Sequence, residues 1–207
     1  RGLGDVYKRQ TLYYITDEIQ QSQYINMFKE QDMDAVILNH NIDSAFITQI
    51  EQQNQHIKFK RIDADVEDAL KEDVDEKELD EIKTSLTDLF RKTLNKENLE
   101  VHVEKLKDAK ISSIITLSEE SRRMQDMMKM YAMPGMDMGM NKEGETLVLN
   151  ANNKLVEYVL DHQDGENVGL ICEQLYDLAL LQQAPLQPEA MTKFIARSNK
   201  IMMLLAQ

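Results

Sequence analysis

The feature that most constrains this chain is the absence of glycine and proline between Asp5 and Met133, more than half of its 207 residues. Glycine-rich loops depend on glycine because it adopts positive backbone φ without steric cost. No such loop can therefore form in this stretch. Neither GxGxxG nor GxxxxGK[ST] occurs, and Gly135 and Gly139 follow no strand pattern and are interpreted as loop glycines. The sequence therefore predicts no nucleotide site built on a glycine-rich loop.

Charge and composition narrow the class of protein further. Asp and Glu number 37 against 24 Lys and Arg, a formal net charge of −13, which argues against nucleic acid as the main partner. Apolar residues make up 42%, enough for a core, but no run approaches a membrane span. Cys172 is the single cysteine and the four histidines are scattered, so we expect no disulfide, metal or cofactor. We predict a cytoplasmic protein.

The first sixty residues alternate between two patterns. Short apolar runs at 12–15 and 35–38 are typical of strands, the second of a buried one, and amphipathic segments separate the strand patterns. Phe59 and Ile62 suggest a third, half-buried strand. This order predicts a small parallel sheet covered by helices, at residues 11–65. A phospho-acceptor or catalytic site at the strand ends is an alternative, but a single carboxylate, Asp17, stands there, so we favour a packing subdomain. The opening ten residues, RGLGDVYKRQ, resemble translated adaptor sequence or a disordered tail, and we expect a fragment of something longer.

A strongly acidic segment follows the first subdomain. Residues 63–81 hold eleven Asp or Glu and two Lys, and we interpret 66–74 as an exposed linker. From Asp75 an apolar stripe at helical spacing, ending at Leu94, predicts a surface helix, and its carboxylates lack calcium-loop spacing. Apolar runs at 99–104, 112–117 and 146–149 predict strands in a mixed or antiparallel sheet. The fold class is α+β, with a three-layer α/β subdomain followed by a second domain at 75–207.

Methionine is concentrated in one segment. Eight of the 13 methionines fall within seventeen residues, from Met124 to Met140. Met124, Met127, Met128 and Tyr131 share one helical face, which is either core or a surface for many apolar partners, because flexible thioethers suit promiscuous contact. On composition alone these two interpretations are even. A copper site is a third possibility, weakened by the lack of nearby His or Cys.

The last forty residues predict an αα-hairpin. Residues 168–181 are apolar over a wide arc, Pro185 and Pro188 mark a break, and a second apolar stripe runs from Met191 to Leu205. Apolar outer faces need a cover, and a second copy forming a four-helix bundle is the simple solution. The alternative is docking on the chain's own sheet. Cys172 lies on the apolar stripe and is predicted to be packed rather than reactive.

The order of these features resembles one family. The runs YYIT at 13–16, MDAVIL at 33–38 followed by NID at 41–43, MQDMMK at 124–129 and LVLNAN at 147–152 resemble the 90-kilodalton heat-shock chaperone family of bacterial HtpG type. They match the end of its middle domain and its C-terminal dimerisation domain, over residues 11–207. Two positions depart from the family pattern. Ala151 stands where a proline is frequent, and near Ala45 an aromatic residue is replaced, with Phe46 adjacent.

The resemblance implies a function. The chain would be the C-terminal part of a homodimeric, ATP-dependent chaperone that assists protein folding, and this part would not itself be an enzyme, because ATP and Mg would bind in an N-terminal domain. Unfolded or partly folded client proteins would contact Phe46, Met124, Met127, Met128, Met130 and Tyr131. A second copy of the chain would contact Leu175, Leu178, Leu181, Phe194, Ile195, Ile201, Met202 and Leu205. The alternative is an acidic oligomeric scaffold or interaction protein without chaperone activity.

Overall fold

The computed structural model describes residues 10–40, 42–66, 70–72, 76–118, 120–121, 123, 145–183 and 185–206. These residues divide into two compact units. The first contains the described residues up to Asp65 and those of the stretch that begins at Leu117 and ends at Arg123. The second contains the described residues from Val66 to Thr116 and from Glu145 onward.

The first unit is built on a three-stranded parallel sheet. Its elements are β1 (Gln10–Ile15), α1 (Ser22–Glu30), β2 (Val36–Ile37), α2 (Asp43–Gln53) and β3 (Ile57–Arg61). The strand order is β2-β1-β3, and β1 is parallel to both neighbours. Tyr14, Ile47 and Phe59 form a buried cluster in which α2 packs against the sheet. The predicted β-α-β-α-β order and the parallel pairing are confirmed.

The second strand is shorter and more exposed than its pattern indicates. Residues 35–38 were expected to form a buried strand, but only Val36 and Ile37 are paired, and both side chains are about half exposed. The reason is the sheet order: among the described residues β2 pairs with β1 alone, so it lies at an edge of the sheet that they form. The prediction of a buried second strand is therefore wrong.

Two helices end without glycine by using Asp and Asn. Asp32 and Asn95 each adopt φ of 52°, directly after α1 and after α3 (Glu76–Leu94). The next residue then reaches back to a carbonyl in the last turn, Met33 N–H to Phe28 O over 2.9 Å and Lys96 N–H to Arg91 O over 3.0 Å. Both are helix ends that usually employ glycine, which Asn and Asp can replace because they tolerate this region best among other residues.

The described residues of the second unit form a sheet and four helices. The strands are β4 (Glu100–Glu104), β5 (Ser113–Leu117) and β6 (Glu145–Asn150), in the order β4-β6-β5. The helices are α3, α4 (Lys154–Asp161), α5 (Val168–Leu181) and α6 (Pro188–Leu205). β4 and β6 are parallel, so the wholly antiparallel alternative is wrong. The α+β class is confirmed, and Pro188 occupies the first turn of α6 as its sequence position predicts.

The core of the second unit lies between its sheet and three of its helices. Leu86 and Phe90 of α3 are fully buried, which confirms the predicted inner stripe of that helix. They pack with buried residues of the sheet, of α4 and of α5, namely Leu99, Val101, Val103, Ile115, Leu147, Leu149, Val156, Val159, Val168, Cys172, Leu175, Tyr176, Ala179 and Leu180. The fully buried residues of this cluster come from every element except α6.

Part of the segment predicted as an acidic linker packs on the second unit. Leu70 is buried and its carbonyl accepts a hydrogen bond from Lys107 N–H over 3.1 Å. Glu72 N–H donates to Lys105 O over 2.8 Å, and the Lys71 ammonium pairs with Glu104 over 3.0 Å. Leu70 is an apolar residue among acidic ones, and its burial therefore holds residues 70–72 against the residues that follow β4.

Candidate functional site

An exposed apolar residue lies on α2 of the first unit. Phe46 is 56% exposed, and Ile42, one turn earlier, is exposed as well. A spacing of four residues places both side chains on the same helical side, away from Ile47, which is fully buried. Phe46, predicted from the resemblance as a client contact, is thus available to a partner.

A polar contact fixes the far end of α2 to the edge strand β3. One oxygen of the Glu51 carboxylate accepts the Phe59 N–H over 2.7 Å, and the other accepts Arg123 Nη1 over 2.7 Å. Arg123 Nη2 also lies 3.3 Å from the Phe59 carbonyl oxygen. Glu51 and Arg123 together therefore bond both backbone groups of Phe59 on β3, which is an edge strand in the part of the sheet that the structure describes.

The same contact alters the acidity of Glu51. Burial by itself would raise the pKa of this carboxyl group, but the hydrogen bonds from Arg123 and from the Phe59 N–H, with the positive charges of Arg123 and Lys58, lower the pKa below its usual value. Glu51 is consequently ionised at neutral pH, and its bond to the guanidinium is charge-assisted.

The methionine-rich segment begins immediately after Arg123. Met124, Met127, Met128, Met130 and Tyr131 lie outside the described residues, so their role as client contacts stays a prediction. The described part shows that Arg123, the residue before Met124, is bound to the unit that carries Phe46. The sequence gives no signal for this pairing, because 72 positions separate Glu51 from Arg123.

Helix α5 docks on the chain's own sheet with one side only. Leu175 and Cys172 are fully buried, and Ser113 Oγ of β5 donates to the Leu175 carbonyl over 2.8 Å. Burial raises the pKa of the Cys172 thiol to about 12, so the prediction that this cysteine is packed rather than reactive is confirmed. Leu178, three residues further along the helix, is 39% exposed, and Leu181 is half-buried.

Helix α6 covers α5 but keeps a long apolar edge open. Ile195, Met202 and Leu205 are more than half exposed, and Met203 and Leu204 at the end of the helix are exposed too. Phe194 and Ile201 are half-buried and share, by helical spacing, the side of Arg197. The eight residues predicted for dimerisation thus differ in exposure. Leu175 lies in the core, three are half-buried and four are exposed.

Arg197 is the one buried residue of α6, with 8% of its surface exposed. Its guanidinium group donates to three side chains of α5: Nε to Gln174 Oε1 over 2.9 Å, Nη1 to Glu173 Oε2 over 2.7 Å, and Nη2 to Asp177 Oδ2. Gln174 Nε2 in turn donates to Ser198 Oγ over 3.0 Å. Sequence reasoning missed this cluster, although a basic residue within an apolar stripe is a signal that could have drawn attention to it.

Within the residues that the structure describes, no group of three His, Cys, Asp or Glu side chains is arranged to hold a metal ion. His102 Nε2 lies 3.2 Å from Glu100 Oε1, two residues earlier on β4, and His162 stacks on Tyr158. In the same part of the chain, no helix is both long and apolar enough to span a bilayer. The surfaces on α2 and α6 are therefore the candidates for function that this part of the chain offers.

Three curated relatives of this chain have the same name. A curated "Chaperone protein HtpG" of Bacteroides thetaiotaomicron is 30% identical over 163 residues, which cover 73% of this chain and 23% of that relative. A relative of the same name from Bacteroides fragilis strain 638R is 32% identical over 164 residues, 74% of this chain and 23% of the relative. In Porphyromonas gingivalis strain W83 the identity is 30% over 154 residues, 71% and 22% of the two chains.

The Hsp90 protein family profile matches residues 6–207, almost the whole chain. The chain belongs to the Hsp90 family, and the resemblance stated from its sequence is confirmed. It spans less than a quarter of the length of the curated relatives that it matches.

Proposed function

We propose that this chain is the dimerising and client-contacting part of an ATP-dependent Hsp90 chaperone of the bacterial type. In this proposal α5 and α6 join two copies, while Phe46 and the methionine-rich segment contact unfolded or partly folded proteins. The observation that carries the proposal is the exposed apolar edge of α6. The family membership of the chain supports it independently.

The dimer is supported by how α6 is packed. Ile195, Met202 and Leu205 face outward on a helix of 18 residues whose single buried residue is polar. Such a helix leaves apolar surface in water, and a two-fold partner would remove that surface from water on both copies. Isologous pairing of two α5–α6 hairpins would give a four-helix bundle.

Client contact is supported by the exposure of Phe46 and by the composition of the segment after Arg123. Methionine side chains are flexible and polarisable, so a surface rich in them can adapt to different apolar sequences. Dimerisation would present two such surfaces together and so raise the effective concentration of each for a client that has engaged the other.

ATP and Mg belong to the whole protein in this proposal. No metal-binding group is found among the described residues, and a glycine-rich phosphate loop is absent from the sequence, so nothing described in this chain fits either ligand. We therefore derive no step of ATP hydrolysis from these residues and expect this part of the protein not to be an enzyme.

Sedimentation equilibrium tests the dimer. We expect the full chain to be a dimer and the double variant Ile195→Asp, Met202→Asp to be a monomer, because two charges would be buried at the interface. Leu155→Asp, at an exposed leucine of α4, is the matched control and should remain a dimer. A full chain that stays monomeric at tens of micromolar would refute the dimer.

Suppression of client aggregation tests the chaperone assignment against the scaffold alternative. The full chain should slow the aggregation of a thermally unfolded model enzyme, as measured by light scattering at several chain-to-enzyme ratios. An oligomeric scaffold without chaperone activity would leave the scattering curve unchanged at every ratio, even if it formed a dimer.

A further inference from the structure

We propose that Arg197 is a positioning residue that fixes the register of α6 on α5 and thereby presents the apolar edge of α6 to a second copy of the chain. This inference rests on the proposed function, because it assigns a role to Arg197 in dimerisation. It differs from the residues expected at the interface, since Arg197 is buried within one chain and faces α5.

The first argument is what holds α6 in place. The helix adds no fully buried apolar side chain to the core of the second unit, and Arg197 is its single buried residue. Phe194 and Ile201 are half-buried apolar side chains. Apolar contact is not directional, so a shift of α6 by one turn along α5 would cost such side chains little contact free energy. Arg197 supplies the directional contact that these residues lack.

The second argument is the geometry of the contact. Glu173 and Asp177 lie four residues apart on α5, so they form two acceptors one turn apart, and Gln174 supplies a third between them. A planar guanidinium group matches such a fixed set of acceptors in one orientation. Moving α6 by one turn, about 5.4 Å, would leave a buried guanidinium and its carboxylates without partners.

The third argument is the position of Arg197 relative to the open edge. Ile195 precedes it by two residues and Met202 follows it by five, so these side chains lie on the side of α6 that faces away from the buried guanidinium. Fixing the rotation of α6 at Arg197 therefore also fixes which residues face a partner. Phe194, whose ring centroid lies 5.9 Å from the guanidinium carbon, adds a cation–π contact on the inner side.

The test compares Arg197→Met with Lys193→Met in the full chain. Both variants replace one positive charge of α6 by the same apolar side chain, but Lys193 is exposed. We expect Arg197→Met to weaken the dimer at least about tenfold, or about 1.4 kcal/mol, in sedimentation equilibrium, whereas Lys193→Met should leave the dissociation constant within about twofold of the parent chain. Arg197→Lys keeps the positive charge without the forked guanidinium group, so its dissociation constant should lie between those of the two Met variants.

Hydrogen exchange measured on the same samples separates positioning from general destabilisation. In Arg197→Met the amides of α6 should lose protection, while those of β4 and β6 keep the protection of the parent chain. If protection is lost in the sheet as well, the comparison is made with Arg197→Lys, which must then show the selective loss in α6 and a weaker dimer. Equal dissociation constants for the parent chain and Arg197→Met, or equal weakening by Lys193→Met, would overturn the inference.

Failure of the inference can be told apart from failure of the proposed function. A parent chain that does not dimerise refutes the proposed dimer, and the role of Arg197 in presenting the edge falls with it. If the parent chain dimerises and Arg197→Met dimerises equally tightly, the proposed function stands and the positioning role alone is refuted.

Discussion

Arg123 Nη1 lies 2.7 Å from Glu51 Oε2, and through this pair the last described residue before the methionine-rich segment is bound to α2. Glu51 and Arg123 also bond the N–H and the carbonyl of Phe59, so side chains occupy the outer edge of β3 at this residue. The opposite edge strand, β2, has only two paired residues, which limits the edge that another chain could extend.

Glu51→Gln should destabilise the protein in a pH-dependent manner. At neutral pH we expect a loss of about 1 kcal/mol in the free energy of unfolding, because the charge-assisted bond to Arg123 becomes a neutral one at a partly exposed site. The pKa of Glu51 is lowered in the folded protein, so the unfolded state binds more protons as pH falls below the usual value of 4.5, and the stabilisation by the charge disappears once pH passes the folded value.

Urea denaturation followed by circular dichroism measures this difference at neutral and acid pH. The parent chain and Glu51→Gln should differ at neutral pH and converge below the lowered pKa of Glu51. Glu30→Gln, at an exposed glutamate that ends α1, is the control and should match the parent chain at both pH values. A difference between parent and Glu51→Gln that persists unchanged in acid would contradict this explanation.

Asn150→Ala should be among the most damaging single substitutions in the second unit. The fully buried Asn150 side chain accepts from the N–H groups of Leu106 and Asn152, and donates to the carbonyls of Asp108 and Ile111. Alanine would leave several backbone groups unpaired, at a cost of at least about 3 kcal/mol in the free energy of unfolding.

Asn167→Ala is the matched control for that measurement. Asn167 precedes α5, but its side chain makes no capping hydrogen bond, so its replacement should change the free energy of unfolding by less than about 0.5 kcal/mol in the same urea titration. Similar losses for the two variants would mean that the bonds of Asn150 contribute little to the stability of this loop.

Element type could be predicted from the sequence where a pattern is long and local. The stripe from Leu79 to Leu94 repeats at helical spacing over four turns and predicts α3 nearly to its ends. Strand identity was also evident for β4, whose residues alternate between buried and partly exposed. The burial of β2 could not be predicted in this way, because an edge position depends on the strand order and not on the residues of the strand.

The polar contacts between distant residues were the least predictable part of the site. The pairing of Arg123 with Glu51 follows only from the folded chain. Arg197 lies between Phe194 and Ile201 in an apolar stripe, and nothing local shows that Glu173 and Asp177 on another helix form its site. Such pairs depend on tertiary packing, whereas apolar periodicity depends on local sequence.

Replacing Met124, Met127 and Met128 together by Ser should weaken the suppression of client aggregation severalfold while the far-UV circular dichroism stays that of the parent chain. The expectation rests on the proposed function, in which these flexible thioether side chains contact different apolar partners. Loss of the dichroism spectrum in the triple variant would show instead that these methionines pack in a core.

Phe46→Ser should act in the same direction without loss of stability. Phe46 is exposed on α2, so a polar replacement removes apolar contact area for a client but buries nothing new. Light scattering of an aggregating model enzyme measures the effect, and Leu155→Ser, at an exposed leucine of the second unit, serves as the control with unchanged suppression. Equal loss in the two variants would point to general apolar exposure rather than to a contact at Phe46.

Two leucines of α5, three residues apart, should respond to alanine in opposite ways. Leu175 is fully buried against the sheet, so Leu175→Ala should lower the free energy of unfolding by about 2–5 kcal/mol through lost burial and a cavity. Leu178 is 39% exposed, so Leu178→Ala should change the unfolding of the monomer little and weaken the dimer instead.

Urea unfolding at low protein concentration and sedimentation equilibrium separate these two effects. We expect Leu175→Ala to shift the unfolding midpoint strongly, and Leu178→Ala to raise the dissociation constant with an unfolding midpoint near that of the parent chain. If Leu178→Ala leaves the dissociation constant unchanged, the exposed side of α5 does not belong to the interface, and the apolar edge of α6 alone must join the two copies.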